Sequence, residues 1–314
     1  MLCKGHRKHW LNFWNSLFSG RMLAGLVPTK ATTNPMTLQH PTILFYISGH
    51  GFGHSTRVIE LARNLPSSIR VIFKTSAPRW LYESYCERPF EFHEMELDVG
   101  VVQHDSLSHD EEITLKRYSQ WLKEIPHLIE QESDYVRREK VGLILGDIPP
   151  VAFEVARKCA VPGIGLGNFS WDWIYQPYTE SWPEYRWLIE SIRESYSKCG
   201  LLLRLPFHGD LSAFPKIEDI PLVVRSPERE PGEIRRLLGI KPGKITVLMS
   251  FGGFSFNRVP WGQIARMKDF QFIFTVPNPP ADNVLYMPLG RVPHVDVVNR
   301  VDIVLTKPGY GICA

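Results

Sequence analysis

The stretch TILFYISGHGFGHSTRVIELARNL, residues 42–65, decides the fold of this chain. Its first seven residues, 42–48, are an apolar run of the kind that forms a buried strand. From residue 56 onward, apolar residues recur with the spacing of one helical face. Three glycines and two histidines lie between these segments, within 49–54. A strand, a glycine-rich turn and a helix in this order predict one unit of a parallel α/β sheet.

The same strand-and-helix pattern continues along the chain. In the first half, further strands are predicted at 69–74, 141–146, 163–166 and 201–205, and helices at 54–65, 78–86, 111–138, 150–159 and 182–198. After a segment rich in Pro, Arg and Glu, helices are predicted at 231–238 and 295–300, and strands at 245–250, 270–276, 283–287 and 301–306. The pattern predicts an α/β protein with two doubly wound parallel-sheet domains, 42–218 and 233–314, joined by a linker at 219–232.

The first 41 residues differ from the rest, because the first carboxylate of the chain is Glu60. We interpret 1–41 as a poorly ordered leader. The alternative is an amphipathic segment that contacts a membrane surface or directs targeting, since Trp10, Trp14, Leu17 and Phe18 share one helical face.

Composition argues against several classes of function. The net charge of +3 and the lack of basic runs with interleaved aromatic residues argue against nucleic acid binding. The five cysteines contain no C-x-x-C pair, which favours reduced thiols in the cytoplasm over disulfides or a zinc site. The sequence contains no run of 18 apolar residues, so no transmembrane helix is predicted.

Three glycine turns follow apolar strands, at 48–54, 250–256 and 306–311. Glycine lets backbone N–H groups approach a ligand, and a helix N-terminus favours negative charge. The alternative is that the glycines only close tight turns. A dinucleotide site is not expected, because His54 stands where G-x-G-x-x-G needs its third glycine and Lys74, Thr75 and Ser76 follow the next strand.

His54 is the candidate general base, because the positive end of a helix dipole disfavours the imidazolium form. The alternative is a packed or helix-capping histidine. His50 is interpreted as a turn residue or substrate contact. Arg57, one turn later, is interpreted as a surface residue.

Other polar groups lie near predicted strand ends. Asp147 orients His54 or the acceptor, or it caps a helix. Asn168, Trp171, Asp172 and Trp173 form a sugar-stacking wall in one interpretation and a capped helix start in the other. Asp98, Gln103 and Asp105 lie in a polar loop, where the alternative is simple solvation.

The chain resembles the glycosyltransferase-B (GT-B) superfamily, and in particular the glycosyltransferase-like N-terminal half of L-arabinokinases and their free-standing bacterial relatives. The stretches that carry the resemblance are FYISGHGFGHSTRVIE (45–60), LDVGVVQHDSL (97–107), GDIPPVA (146–152), NFSWDWIY (168–175), LLRLP (202–206), DIPLVVR (219–225), SFGG (250–253) and KPGYG (307–311). The first glycine turn is also distantly similar to that of the lipid II N-acetylglucosaminyltransferase.

The resemblance implies two Rossmann-like domains facing across a cleft, and transfer of a sugar from a UDP- or GDP-linked donor to a small-molecule or glycan acceptor. It implies no metal and no cofactor besides the nucleotide-sugar. His54 would deprotonate the acceptor hydroxyl, with Asp147 as its catalytic partner. The implied donor-diphosphate residues are Gly51, Gly53, Gly252, Gly253, Lys307, Gly309, Tyr310 and Gly311. The implied acceptor residues are His50, Asp98, Gln103, Asp105, Asn168, Trp171 and Asp172.

One departure from the family pattern concerns the end of the sequence. In the family a glutamate follows KPGYG within a few residues, whereas here Ile312, Cys313 and Ala314 follow. We therefore expect a truncated second domain and weak or absent activity. The alternative function is a non-catalytic nucleotide- or sugar-binding module related to part of a sugar kinase.

Overall fold

The computed structural model describes residues 41–105, 108–251, 259–275, 279–288, 290, 292–307 and 309–313. The predicted leader, except for Pro41, and the predicted donor residues Gly252 and Gly253 lie outside this range. The described residues form two units. The first holds the chain up to Val102 and His109–Val223, and the second holds Gln103–Ser108 and the chain from Val224 onward. The boundary after Val223 lies within the predicted linker.

The described residues up to Val223 contain nine strands, of which seven form one sheet. The strands are β1 (Thr42–Ile47), β2 (Arg70–Thr75), β3 (Glu91–Glu94), β4 (Val102–Gln103), β5 (His109–Asp110), β6 (Val141–Asp147), β7 (Gly163–Gly167), β8 (Leu201–Arg204) and β9 (Ile217–Asp219). The helices are α1 (Phe52–Arg63), α2 (Arg79–Tyr85), α3 (Glu111–Arg138), α4 (Val151–Cys159), α5 (Trp171–Tyr175), α6 (Tyr178–Ser181) and α7 (Arg186–Tyr196).

The large sheet has the order β3-β2-β1-β6-β7-β8-β9, and each of its neighbouring pairs is parallel. All six residues of β1 are buried, as expected for a strand covered on both faces. Strand order reverses between β1 and β6, and ligands of doubly wound sheets bind beyond the carboxyl ends of the strands at such a point. The turn after β1 and the end of β6 therefore define the place where a site is expected.

The second unit contains a smaller parallel sheet of order β12-β11-β10-β13. Its elements are α8 (Pro231–Leu238), β10 (Ile245–Ser250), α9 (Trp261–Ile264), β11 (Phe270–Phe274), β12 (Val284–Tyr286), α10 (His294–Val298), β13 (Ile303–Thr306) and α11 (Tyr310–Cys313). β13 is the outermost strand on its side, and Ile303 and Leu305 on it are exposed.

The prediction of an α/β fold with parallel sheets in both halves is confirmed. The prediction fails at polar or short elements. Sequence patterning gave no strand at 91–94, because EFHE contains only one strongly apolar residue and forms an edge strand. The predicted helix at 182–198 begins at Arg186, because Pro183–Tyr185 forms a separate 3₁₀ turn.

Helix α3 is 28 residues long and has a defined start. The side chain of Asp110 accepts a hydrogen bond from the backbone N–H of Ile113 at 2.8 Å. Such a cap satisfies one of the N–H groups that a helix start leaves without an internal partner. No helix within the described ranges combines the length and apolar character needed to cross a membrane.

Candidate active site

The turn between β1 and α1 places His54 in the first turn of the helix. Two glycines in this turn are required by the chain itself. Gly51 has φ of 85°, a conformation that L side chains rarely adopt, and a Cβ at Gly49 would lie 1.9 Å from Ser76 Oγ. Part of the glycine content therefore has a local structural cause, whatever ligand the turn binds.

His54 contacts the carboxylate at the end of β6, on the neighbouring strand. Its Nδ1 lies 2.7 Å from Asp147 Oδ1. A carboxylate only accepts hydrogen bonds, so we assign the proton of the neutral ring to Nδ1 and the lone pair to Nε2. Among the described residues, no hydrogen-bond partner is found for Nε2. This tautomer leaves Nε2 as the proton-accepting atom. Helix capping by His54 is excluded, because the residue before α1 is Gly51.

Arg57 is the third member of this cluster, and its interpretation as a surface residue was wrong. Its side chain is buried and binds Asp147 with two nitrogens, Nε to Oδ2 at 2.6 Å and Nη2 to Oδ1 at 2.5 Å. Its Nη1 donates to Asn168 Oδ1 at 3.0 Å, after β7. The guanidinium therefore links the ends of β6 and β7 to helix α1.

Asp147 is fully buried and ionised. Burial alone would raise the pKa of this carboxyl, but the charges of Arg57 and His54 and their hydrogen bonds outweigh burial and hold the pKa below its ordinary value. Asp147 does not cap α4, because the N-cap residue of that helix is Pro150 and no side chain caps it. Of the two interpretations of Asp147, the structure therefore supports orientation of His54.

Asp98 lies in the segment between β3 and β4 and is also buried. It accepts hydrogen bonds from Ser48 Oγ at 3.1 Å and from Trp171 Nε1 at 2.9 Å. Burial raises the pKa of Asp98 to about 6, although these hydrogen bonds and the charge of His54 act in the opposite direction. His50 lies on the same side, with its ring centroid 5.8 Å from that of Trp171 in an edge-on arrangement.

The expectation of a sugar-stacking wall at Trp171 was wrong. Trp171 is 1% exposed, and its ring stacks on Tyr175 with centroids 5.5 Å apart. Asp172 was also wrongly expected on the acceptor surface, because it is 2% exposed and accepts a hydrogen bond from Arg193 Nε at 3.0 Å. Trp173, the next residue on α5, is 40% exposed.

The remaining predicted acceptor residues lie at the end of β4 and in the loop that follows it. Asp105 accepts hydrogen bonds from the backbone and the hydroxyl of Ser108, both at 2.8 Å, and so closes its own loop. Gln103 is half-buried, and among the described residues its Oε1 has no hydrogen-bond partner. These observations do not test an acceptor role, which stays a prediction for both residues.

In the second unit, polar groups lie at the carboxyl ends of β10 and β13, where strand order again reverses. Ser250 Oγ lies 2.8 Å from Nε2 of His294, at the start of α10. Burial and the charge of Arg225 lower the pKa of His294, and burial lowers the pKa of Lys307. Sequence reasoning missed His294, whose signal is a histidine after proline at a short helix start.

The other predicted donor residues in this unit follow Lys307 directly. Gly309 precedes α11, which contains Tyr310 and Gly311. A Cβ at Gly309 would meet no other atom within 4 Å, so packing does not require glycine there. A diphosphate role of these residues stays a prediction, as it does for Gly51 and Gly53. Among the described residues, no group of three or more His, Cys, Asp and Glu side chains is arranged to hold a metal ion.

Comparison with known proteins identifies the fold. No family model matches the sequence. A glycosyltransferase of kitacinnamycin is similar over 87% of this chain and 77% of its own, with a TM-score of 0.54 and 15% identity. Phytolacca americana UGT2, complexed with UDP-2-fluoro-glucose and pterostilbene, covers 85% of this chain and 75% of its own, with a TM-score of 0.53 and 12% identity. The chain therefore has the GT-B fold.

One protein is similar to this chain in sequence as well. L-arabinokinase of Arabidopsis thaliana is 33% identical over 222 residues, which is 68% of this chain and 21% of that protein. The chain thus matches about a fifth of the length of this relative.

Proposed function

We propose that this chain is a metal-independent glycosyltransferase in which His54 is the general base. The observation that carries the proposal is the contact of 2.7 Å between His54 Nδ1 and a buried, ionised Asp147, at the point where strand order reverses. The tautomer that we assign from this contact leaves Nε2 to accept a proton. The GT-B fold supports the proposal, because solved structures with this fold are glycosyltransferases.

The proposed reaction is a single displacement. His54 Nε2 takes the proton from an acceptor hydroxyl while the hydroxyl oxygen forms a bond to the anomeric carbon of the sugar. The bond between that carbon and the diphosphate oxygen breaks, and the nucleotide diphosphate leaves with the electron pair. Asp147 stabilises the imidazolium that forms, since its negative charge lies against Nδ1–H. Arg57 holds both carboxylate oxygens of Asp147 and so fixes the direction of this support.

The proposed donor is a UDP- or GDP-linked sugar. Its diphosphate would be held by the second unit, through Lys307, the N–H groups around Gly309 and Gly311, and Tyr310. Burial lowers the pKa of Lys307, and a bound diphosphate would favour its charged form again. UGT2 of Phytolacca americana, which shares the fold, is complexed with a UDP-sugar.

We also propose a cytoplasmic location. The described cysteines Cys86, Cys159 and Cys199 are all free thiols, and two of them are buried. Free thiols of this kind are usual in a reducing compartment.

One observation favours a second function, binding of a nucleotide or sugar without turnover. His54 is only 6% exposed, so a substrate hydroxyl has little room to reach the ring. In that case the cluster of His54, Arg57 and Asp147 would stabilise the folded first unit. The chain would then act as a binding module related to part of a sugar kinase.

The test is incubation of the 314-residue chain with UDP-glucose, UDP-galactose, UDP-L-arabinose and GDP-mannose, with release of UDP or GDP measured. Replacement His54→Ala should lower turnover by about 10²–10⁴-fold, as expected for loss of a general base. His127→Ala is the matched control, because His127 is exposed on α3. Tight binding of a nucleotide-sugar with no turnover in the wild type would favour the binding module. If the wild type shows neither binding nor turnover, both functions are refuted.

A further inference from the structure

Two aromatic side chains project from the carboxyl-end side of the large sheet, and the proposed chemistry uses neither. Phe207 follows β8 and is 74% exposed. Trp173 lies in α5, which follows β7, and is 40% exposed. The first unit buries most side chains of this size, so the exposure of two at neighbouring strand ends needs a cause.

Backbone hydrogen bonds fix the loop that carries Phe207. Before it, the N–H of Leu205 donates to the carbonyl of Gly167 at 3.0 Å, and after it the N–H of Gly209 donates to the carbonyl of Asn168 at 2.9 Å. The indole of Trp173 lies directly against Gly209, where a Cβ would come within 2.5 Å of a ring atom. Both aromatic side chains are therefore carried by backbone that is tied to the end of β7.

Phe207 adopts a backbone conformation that is unfavourable for its residue type. Its φ is 57°, in the left-handed region, where bulky residues are outliers and the conformation carries an energetic cost. Its ring recovers little of that cost by packing, because three quarters of the residue is in solvent. A strained and exposed aromatic residue in a fixed loop points to a contact with something outside the chain.

Hydrogen-bonding groups lie next to these aromatic residues along the chain. Asp210, next to Gly209, has a half-exposed side chain, and Arg193 lies 3.7 Å from it. His208 is also exposed. Aromatic rings beside exposed donors and acceptors suit a pyranose, which presents C–H groups on one face and hydroxyls at its edge.

The size of the surface favours a small ligand over a protein. The two side chains expose on the order of 200 Å² of ring, judged from the area that aromatic side chains bury. A stable protein interface needs about 800 Å² on each partner. A single sugar ring matches the smaller figure.

We propose that Trp173 and Phe207, with Asp210, Arg193 and His208 at the rim, form a binding platform for a pyranose ring. The platform lies on the same edge of the sheet as His54, three strand spacings from β1, which is about 14 Å. Sugar binding here does not depend on catalysis. Identifying the bound sugar as the acceptor rests on the proposed transferase function.

Saturation-transfer NMR titrations of the full chain with methyl β-D-glucopyranoside, methyl β-D-galactopyranoside and methyl β-L-arabinopyranoside test the platform. Replacement Phe207→Gly removes the ring with a residue that tolerates the backbone conformation, so the fold is preserved. We expect saturable binding of at least one sugar to the wild type, and affinity about five- to tenfold weaker in Phe207→Gly and in Trp173→Ala. Trp187→Ala is the control, because Trp187 is 51% exposed on α7 and lies outside the platform.

Three results would overturn the proposal: no saturable binding of any of the three sugars, equal affinity in Phe207→Gly, or an equal loss in Trp187→Ala. Self-association of the wild type that Phe207→Gly abolishes would also overturn it, because the surface would then be a protein interface. Saturable sugar binding to a wild-type chain that turns over no nucleotide-sugar would support the platform and refute the transferase. Turnover by the wild type, together with platform variants that bind sugars as the wild type does, would support the transferase and refute the platform.

Discussion

Asp98 makes the stability of the first unit depend on pH in a direction opposite to that of a salt-bridged carboxylate. Burial raises its pKa from the ordinary value of 3.8 to about 6. The folded state therefore binds the proton more tightly than the unfolded chain does. The favourable contribution is fully present below 3.8, and it is lost as the pH rises through about 6.

The size of the effect follows from the two pKa values. The difference between about 6 and 3.8 corresponds to about 3 kcal/mol at alkaline pH. Roughly half of this, about 1.4 kcal/mol, is lost between pH 5 and pH 8, because part of the penalty is already present at pH 5.

The replacement Asp98→Asn removes the titration and keeps both contacts. The amide oxygen accepts from Trp171 Nε1, and the amide N–H₂ donates to Ser48 Oγ, since a hydroxyl both donates and accepts. Urea unfolding followed by tryptophan fluorescence at pH 5, 6, 7 and 8 gives the free energy of unfolding of both proteins. Relative to Asp98→Asn, the wild type should lose about 1.4 kcal/mol across this range. Glu96→Gln is the matched control, because Glu96 is an exposed carboxylate two residues away. A constant difference between wild type and Asp98→Asn, or one that favours the wild type as pH rises, would refute the reasoning.

Two further predictions concern stability. Lys74 is buried and donates to both oxygens of Glu132 at 2.9 and 2.8 Å, so Lys74→Met leaves a buried carboxylate without its charge partner and should cost about 3–5 kcal/mol of unfolding free energy. The double replacement Lys74→Met with Glu132→Gln should cost clearly less in the same urea experiment, and equal losses would contradict a charge effect. Asp110→Ala removes the cap of α3 and should lower the unfolding free energy by about 1 kcal/mol, whereas Asp134→Ala, exposed on the same helix, should change it little. Equal effects of the two aspartate replacements would argue against the cap.

The sequence predicts the architecture well where hydrophobic periodicity is strong. The predicted bounds of α3 and α8 agree with the structure, as do those of β10. Edge strands such as β3 lack this signal, because only part of their surface is buried and their side chains are mixed in polarity.

The candidate site shows a different limit. His54 and Asp147 were both predicted, since each follows a strand that the pattern identifies. Arg57 was misjudged, because its burial depends on Asp147, 90 positions away, and nothing near Arg57 in the sequence reveals that partner. Trp171 is buried and Trp173 is exposed, although they are only two positions apart. Residues two positions apart on a helix are separated by about 200° of rotation, so they face opposite sides.

The exposed aliphatic side chains of β13 have a practical consequence for handling the protein. An outermost strand with Ile303 and Leu305 in solvent offers a template onto which another β-strand can be added. Such edges promote aggregation during expression and refolding. Placing a lysine at Leu305 adds a charge to this edge while leaving its backbone unchanged. The variant should therefore remain clear at concentrations at which the wild type becomes turbid.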